Sequence, residues 1–294
     1  MKYLAKYLYS KFWPLLRHSP ISKRIYHKSA VRILLYHNIP SKMLNRFRDH
    51  MIFIKQHWGF LNPKDWDYFL SGENKFHGIR VLVTFDDGFK SQLYATREVL
   101  DPLGIKAIFF IPVNFIGLKN VSEVKQFVTG NLRLKNLSKE LFPMDWDNLD
   151  RLAKNGHVIG SHTLNHPLLS KITDTNVLRS EIWESGNIIE QKLGIQVRWF
   201  AYPYGRNKSI NFKVYTISKM RYTYLAINIG GLNKADMNRQ YVFRDSVKAE
   251  TPLDIIKLTL EGGLDFINYR RFYYFKMALK KNKAYQNEHE RNTY

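Results

Sequence analysis

The sequence predicts an α/β fold: a parallel sheet of seven strands alternating with helices and closed as a (β/α)7 barrel. Two observations carry this. From residue 31 onward, short strand-like runs alternate with segments of helical pattern, the signature of repeated strand–helix units. Ionisable and polar residues then follow directly after those runs, where barrel proteins place their functional groups. No internal repeat or low-complexity linker interrupts the pattern, so one domain over residues 31–268 is the simplest organisation.

Taken in order, the expected strands are Val31–Tyr36, Arg80–Phe85, Lys106–Pro112, His157–Ser161, Arg198–Pro203, Tyr222–Ile227 and Gln240–Asp245. Helices are expected between them, notably at Ser91–Leu103, Trp146–Asn155, Asp174–Leu193 and Pro252–Leu260. Residues 1–30 read as a separate basic amphipathic segment. Tyr3, Leu4, Tyr7, Leu8, Phe12 and Leu15 recur at helical spacing, with Lys2, Lys6, Lys11 and Arg17 between them. Trp13-Pro14 is expected to end or kink that helix. Residues 269–294 form a basic and aromatic C-terminal helix and tail, opening Tyr269-Arg270-Arg271-Phe272-Tyr273-Tyr274-Phe275-Lys276.

Composition narrows the function classes. The chain has 294 residues, 45% of them apolar, enough for a substantial core. Lys and Arg number 46 against 25 Asp and Glu, a formal charge of +21, which calls for an anionic partner: nucleic acid, an anionic membrane surface or a phosphorylated substrate. No nucleic-acid recognition motif accompanies the charge, so nucleic acid is not expected. There is no cysteine, which excludes disulfides and thiolate metal sites. No apolar run has the length of a membrane span, and the N-terminal apolar residues are interrupted by lysines. The expected location is therefore the cytoplasm, with both basic ends able to lie on one anionic membrane face.

The chemistry concentrates at the strand ends. His37 follows the first strand, Asp86 and Asp87 the second, His162 and His166 the fourth, and Tyr204 and Arg206 the fifth. One Asp and two His make a plausible three-ligand site for a divalent cation, with positions left for water and substrate. A second carboxylate beside it can serve as general base. Adjacent aspartates can divide these roles because neighbouring side chains leave the backbone in different directions.

Three stretches sharpen this: VTFDDG at 83–88, GSHTLNH at 160–166 and FAYPYG at 200–205. In order and comparable spacing they resemble the motifs of the polysaccharide deacetylase family, also called the NodB-homology domain or carbohydrate esterase family four. ILLYHNIP at 33–40 resembles the opening strand of many members, and the resemblance spans residues 31–260. It implies a deformed (β/α) barrel and hydrolysis of an N-acetyl group from an amino sugar. It implies Asp86 as general base and Asp87, His162 and His166 as ligands of a divalent metal, Zn2+ first among the candidates. Pro203, Tyr204 and Arg206 would line the substrate groove, with the backbone N–H of Tyr204 at the oxyanion.

The chain departs from the family pattern in three ways. Ala201 stands where many members carry an arginine that orients the catalytic aspartate, and Arg244 or Arg206 is the expected replacement. No histidine occurs between His166 and His289, so the usual late general acid is absent and His37 is the expected substitute. The expected export signal is also missing, which favours a lipid- or nucleotide-linked amino-sugar glycan over a finished polymer. The alternatives are a deformylase or other amide hydrolase on the same fold, or a catalytically silent carbohydrate- or membrane-binding module.

Overall fold

The computed structural model describes residues 9–11, 13, 29–73, 76–135, 137–205, 209–235 and 241–291. Most of the expected N-terminal helix lies outside the described residues, as does Arg206. Six strands pair in parallel in chain order: β1 (Ala30–Tyr36), β2 (Ile79–Asp86), β3 (Ala107–Ile111), β4 (Val158–Ser161), β5 (Trp199–Ala201) and β6 (Tyr224–Ile227). Each lies on a strand expected from sequence, because these are the runs that are apolar on both faces, as a helix-covered parallel sheet requires.

The seventh strand differs from its expectation. Instead of one strand over 240–245, the chain forms β8 (Val242–Phe243), parallel to β6, and β9 (Asp245–Ser246), parallel to β1. Arg244 sits between them. One short segment therefore reaches both edges of the sheet and closes it. A twisted sheet explains the split, since a short straight segment cannot stay in register with both edges along its length. A further strand, β7 (Leu232–Lys234), was not expected; it runs antiparallel to the first half of β1.

Two apolar layers hold this sheet. Inside the barrel, Val31, Ile33, Leu82, Ile108, Phe110, Trp199 and Val242 form one cluster with Leu61, Trp66 and Phe69. Trp66 packs 5.3 Å from Trp199 and 6.3 Å from Tyr224, the first residues of β5 and β6, so the helix Trp66–Ser71 seals the N-terminal mouth. Outside, Phe85, Phe109, Ile159, Phe200 and Ile227 pack under the surrounding helices. Gly160 is required by this packing: a Cβ there would lie 2.7 Å from the Phe110 ring.

The helices refine the sequence reading. Trp146–Lys154 starts at a capping box, Asp145 accepting from the Asn148 N–H and Asn148 from the Asp145 N–H. The expected helix over 174–193 is two helices, Thr175–Arg179 and Ser185–Leu193, joined by a wider π turn at Ser180–Glu184. The C-terminal helix runs Asp265–Arg291 and buries Phe275 and Leu279 against the domain. Its first residue, Asp265, takes two hydrogen bonds from the fully buried Arg32, at 2.9 and 2.8 Å, and Arg32 also reaches Asp245 at 3.0 Å.

Two buried histidines outside the Asp–His–His cluster are held neutral. His157 Nδ1 accepts from the Ala107 N–H at 3.1 Å while Nε2 donates to Asp101 at 3.1 Å. His50 Nε2 donates to the Thr251 carbonyl at 2.7 Å and Nδ1 accepts from the Tyr36 hydroxyl at 3.2 Å. Burial pushes both below the ordinary histidine value of 6.5. The unfolded chain therefore binds protons before the folded one as pH falls, so stability is complete above the ordinary value and declines below it. We expect the denaturation midpoint to fall between about pH 7.5 and about pH 5.5, with a shallower fall in a His50→Gln/His157→Gln variant. A midpoint with no pH dependence over that window would refute the assignment.

Candidate metal centre and active site

Strand alternation aims the key residues inward. On β2, Leu82, Thr84 and Asp86 share the interior face, and Asp86 ends the strand. The chain then turns through Asp87 (φ 78°) and Gly88 (φ 70°). Glycine suits position 88 because a side chain is strained at that φ, and a Cβ would also press on Ile116 Cδ1 at 2.9 Å. His162 follows β4, and the loop that carries His166 turns at Thr163 (φ 71°) and at His166 itself (φ 56°). Buried Glu181, set by the π turn, clamps that loop. Its carboxylate accepts from the Leu164 and Asn165 N–H groups at 3.1 and 3.0 Å and from the Asn165 side chain at 2.6 Å.

Asp87, His162 and His166 form a buried cluster whose ligand atoms lie within 4.8 Å of one another. His162 Nε2 stands 3.8 Å and His166 Nε2 3.7 Å from Asp87 Oδ1. Ligands on one tetrahedral Zn2+, bonded at about 2.0–2.1 Å, would be about 3.3–3.5 Å apart. The donor set fits such an ion. His162 Nδ1 donates to the Ala201 carbonyl at 2.7 Å, and His166 Nδ1 to the Asn131 carbonyl at 3.2 Å. Each bond fixes the tautomer that leaves the Nε2 lone pair facing Asp87. Burial, opposed by Asp86 and Asp87, pushes His162 down to about 4, so its ring is neutral at neutral pH, the state that ligates metal.

Asp86 lies beside this cluster but has a different partner. Arg244 grips both carboxylate oxygens, Nη1 to Oδ1 at 2.6 Å and Nη2 to Oδ2 at 2.9 Å. Both residues are buried, and the guanidinium lies 4.9 Å from the centre of the Phe110 ring. Burial acts to raise the Asp86 pKa; Arg244 and then His162 outweigh it and hold the carboxyl below its ordinary range. Asp86 Oδ2 is 3.8 Å from His162 Nε2. The arginine that meets Asp86 thus comes from the barrel seam.

The rim carries the remaining candidates. Tyr204 (φ 62°) packs its ring edge-on to His166 at 4.9 Å and donates its hydroxyl to the Asn131 carbonyl at 2.9 Å. Pro203 is buried beside it. His37 is exposed at the end of β1, close enough for its charge to act on Asp86. Gln92 links the two, donating to the His37 carbonyl at 3.2 Å and the Asp86 carbonyl at 2.5 Å. Gln92, Asn131, Arg133 and Glu181 were not anticipated. Asn131 braces the site through its main-chain carbonyl and also through its side chain, whose Nδ2 donates to the Asn165 carbonyl at 2.7 Å. Arg133 (φ 57°) is exposed, with its guanidinium 4.9 Å from the centre of the Tyr204 ring.

Residues 73–225 match the family model described as Polysaccharide deacetylase. The chain belongs to the polysaccharide deacetylase family. Its members are polysaccharide and peptidoglycan N-deacetylases, hydrolases of amide bonds. The chain is 28% identical over 180 residues to YxkH of Bacillus subtilis, covering 59% of this chain and 56% of that protein. It is 28% identical over 152 residues to the peptidoglycan-N-acetylglucosamine deacetylase of Bacillus cereus, covering 50% and 45%. The chain thus spans about half the length of these two curated relatives. The fold is that of IcaB from Ammonifex degensii (TM-score 0.62, 22% identity, 78% of this chain and 95% of that one). It also matches BC0361, a polysaccharide deacetylase from Bacillus cereus (TM-score 0.61, 19% identity, 79% and 69%).

Two outcomes test the site's construction. Glu181→Ala frees the loop that carries His166, and we expect zinc affinity, read by calorimetric titration, to fall about 10–100-fold. Unchanged affinity would show that Glu181 does not support the ligands. Arg133→Gly removes a left-handed side chain and should raise stability by up to about 1 kcal/mol in chemical denaturation. A loss of stability would show that its contact with Tyr204 outweighs the backbone strain.

Proposed function

We propose that this chain hydrolyses the N-acetyl amide of an amino sugar in a cell-envelope polysaccharide or in a lipid- or nucleotide-linked precursor of one. The supporting observation is the division between two adjacent carboxylates. Asp86 is gripped by Arg244, whereas Asp87 faces two histidines whose Nδ1 atoms are already committed to carbonyls. When bound by Asp87, His162 and His166, a divalent cation, Zn2+ in this reading, supplies Lewis acidity to the amide oxygen and the attacking water.

The residues divide the remaining work. Asp86 takes a proton from the water as its oxygen bonds to the acyl carbon. Arg244 keeps that carboxylate ionised and fixes both of its oxygens. The backbone N–H of Tyr204 is the protein donor assigned to the developing oxyanion. Breaking the C–N bond requires a proton on the departing nitrogen, and His37, at the rim beside Asp86, is the assigned donor. The products are acetate and a free amine. Pro203, Tyr204, Arg133 and Arg206 are assigned to the groove that holds the sugar.

Acetate release from N-acetylglucosamine oligomers and from peptidoglycan, with zinc present, tests the reading. We expect Asp86→Asn to lower the rate about 10²–10⁴-fold while zinc binding persists. Wild-type rates in that variant would remove Asp86 as the base. Formate in place of acetate from formylated analogues would assign a deformylase instead.

A further inference from the structure

The helix Asp265–Arg291 has two unlike faces. One carries Asn268, Phe272, Phe275 and Leu279, with Phe272 4.7 Å from Phe243 and Phe275 5.2 Å from Tyr241. The opposite side presents Phe266, Tyr269, Tyr273 and Met277, respectively 62%, 72%, 53% and 37% exposed. Their spacing of three and four residues puts them in one stripe. Exposed Arg270, Lys276 and Lys280 border it. Between Asp265 and Glu288 the sequence has six basic residues, Arg270, Arg271, Lys276, Lys280, Lys281 and Lys283, and no acidic one.

We propose that this face is a docking surface for an anionic lipid bilayer, on which the helix lies parallel to the membrane plane. Phe, Tyr and Met on one stripe with Lys and Arg beside it is the composition of an interfacial helix: the rings enter the headgroup zone and the cations meet lipid phosphates. A second copy of the chain fits poorly, since its face would oppose the same positive charges of Arg270, Lys276 and Lys280. A nucleic acid would use the charges but has no need of an outward apolar stripe at helical period. No helix among the described residues is long and apolar enough to cross a membrane. The described part of the basic N-terminal segment lies near the start of this helix. Lys11 bonds Asp254 at 2.8 Å, Trp13 bonds Glu261 at 3.1 Å, and a Cβ on Gly263 would lie 3.1 Å from the Trp13 ring. The proposal does not depend on the chemistry assigned to the metal centre.

Co-sedimentation of the full chain with vesicles tests it, comparing phosphatidylcholine alone with a mixture containing about one third phosphatidylglycerol at physiological salt. We expect binding to the anionic vesicles only. Tyr269→Ser/Tyr273→Ser/Met277→Ser should lower that binding at least about tenfold, and Arg270→Glu/Lys280→Glu by a similar factor. Circular dichroism checks that both variants remain folded; the buried face is untouched in each. Absence of binding to anionic vesicles overturns the proposal. So does wild-type binding by the folded triple-serine variant, because the contact would then be diffuse charge. Full competition by soluble polyglutamate, sensitive to the charge variant but not to the serine variant, would assign the face to an acidic macromolecule instead.

Discussion

The bidentate pair between Arg244 and Asp86 is the interaction on which the site and the closure of the sheet both depend. Arg244 belongs to neither β8 nor β9 but to the step between them, where the chain leaves one edge of the sheet for the other. Asp86 ends β2, on the far side of β1. The pair therefore ties the seam to the interior wall of the barrel. Its surroundings serve it: Phe110 of β3 lies under the guanidinium, and Gly160 of β4 leaves room for that ring. Removing one partner of such a buried pair costs about 3–5 kcal/mol, because the other charge is left without compensation. A charge pair of this kind is a poor source of net stability compared with apolar packing. Its use here is to hold a carboxylate ionised and oriented within 3.8 Å of a neutral histidine.

The next residue along the chain does the same work on the other face. Successive residues in an extended segment point to opposite sides. Asp245 therefore faces outward, where the buried Arg32 of β1 joins it to Asp265 at the start of the C-terminal helix. Burial works against the Arg32 charge, but its two carboxylates outweigh this and raise its pKa. Two adjacent residues at one seam thus fix the Asp86 carboxylate inside and the C-terminal helix outside. A shift in that helix would pull on the step between β8 and β9 that carries Arg244, through a path of one residue.

The strands were legible because a parallel sheet covered by helices must be apolar on both faces, and such runs stand out. The four residues with the sharpest chemistry, Asp86, Asp87, His162 and His166, were legible for a related reason: they follow those runs directly. Arg244 was named as a replacement for the missing arginine, but its position between two strands was not visible. A split strand differs from a whole one only in which neighbour each residue meets, and that is settled by sheet twist across distant segments. The π turn that sets Glu181 was hidden for a similar reason, since one extra residue in a helical turn changes no residue type. The Asn131 carbonyl lay beyond sequence reasoning, because a main-chain carbonyl is present at every position, and its side-chain bond to the Asn165 carbonyl joins segments 34 residues apart. What was missed is mostly the layer that orients the Asp–His–His cluster rather than the cluster itself.

Backbone strain marks the same place independently. Among the described residues, five non-glycine positions have φ between 56° and 78°: Asp87, Arg133, Thr163, His166 and Tyr204. All five lie in the centre or on its rim. Each left-handed residue costs about 1–2 kcal/mol over a relaxed one, so the set amounts to a sizeable share of the stability of an ordinary domain. Glycine would relieve that cost at any of them, yet at Asp87 and His166 it would remove a member of the buried Asp–His–His cluster, and at Tyr204 the ring and hydroxyl that brace His166. The side chains are therefore what the strain secures. Such conformations persist only where their surroundings over-determine them. Glu181 on the histidine loop and the Asn131 carbonyl on both His166 and Tyr204 are among those determinants. The centre is thus built by bending the backbone at the strand ends until Asp87, His162 and His166 converge, with the layer behind it opposing their relaxation.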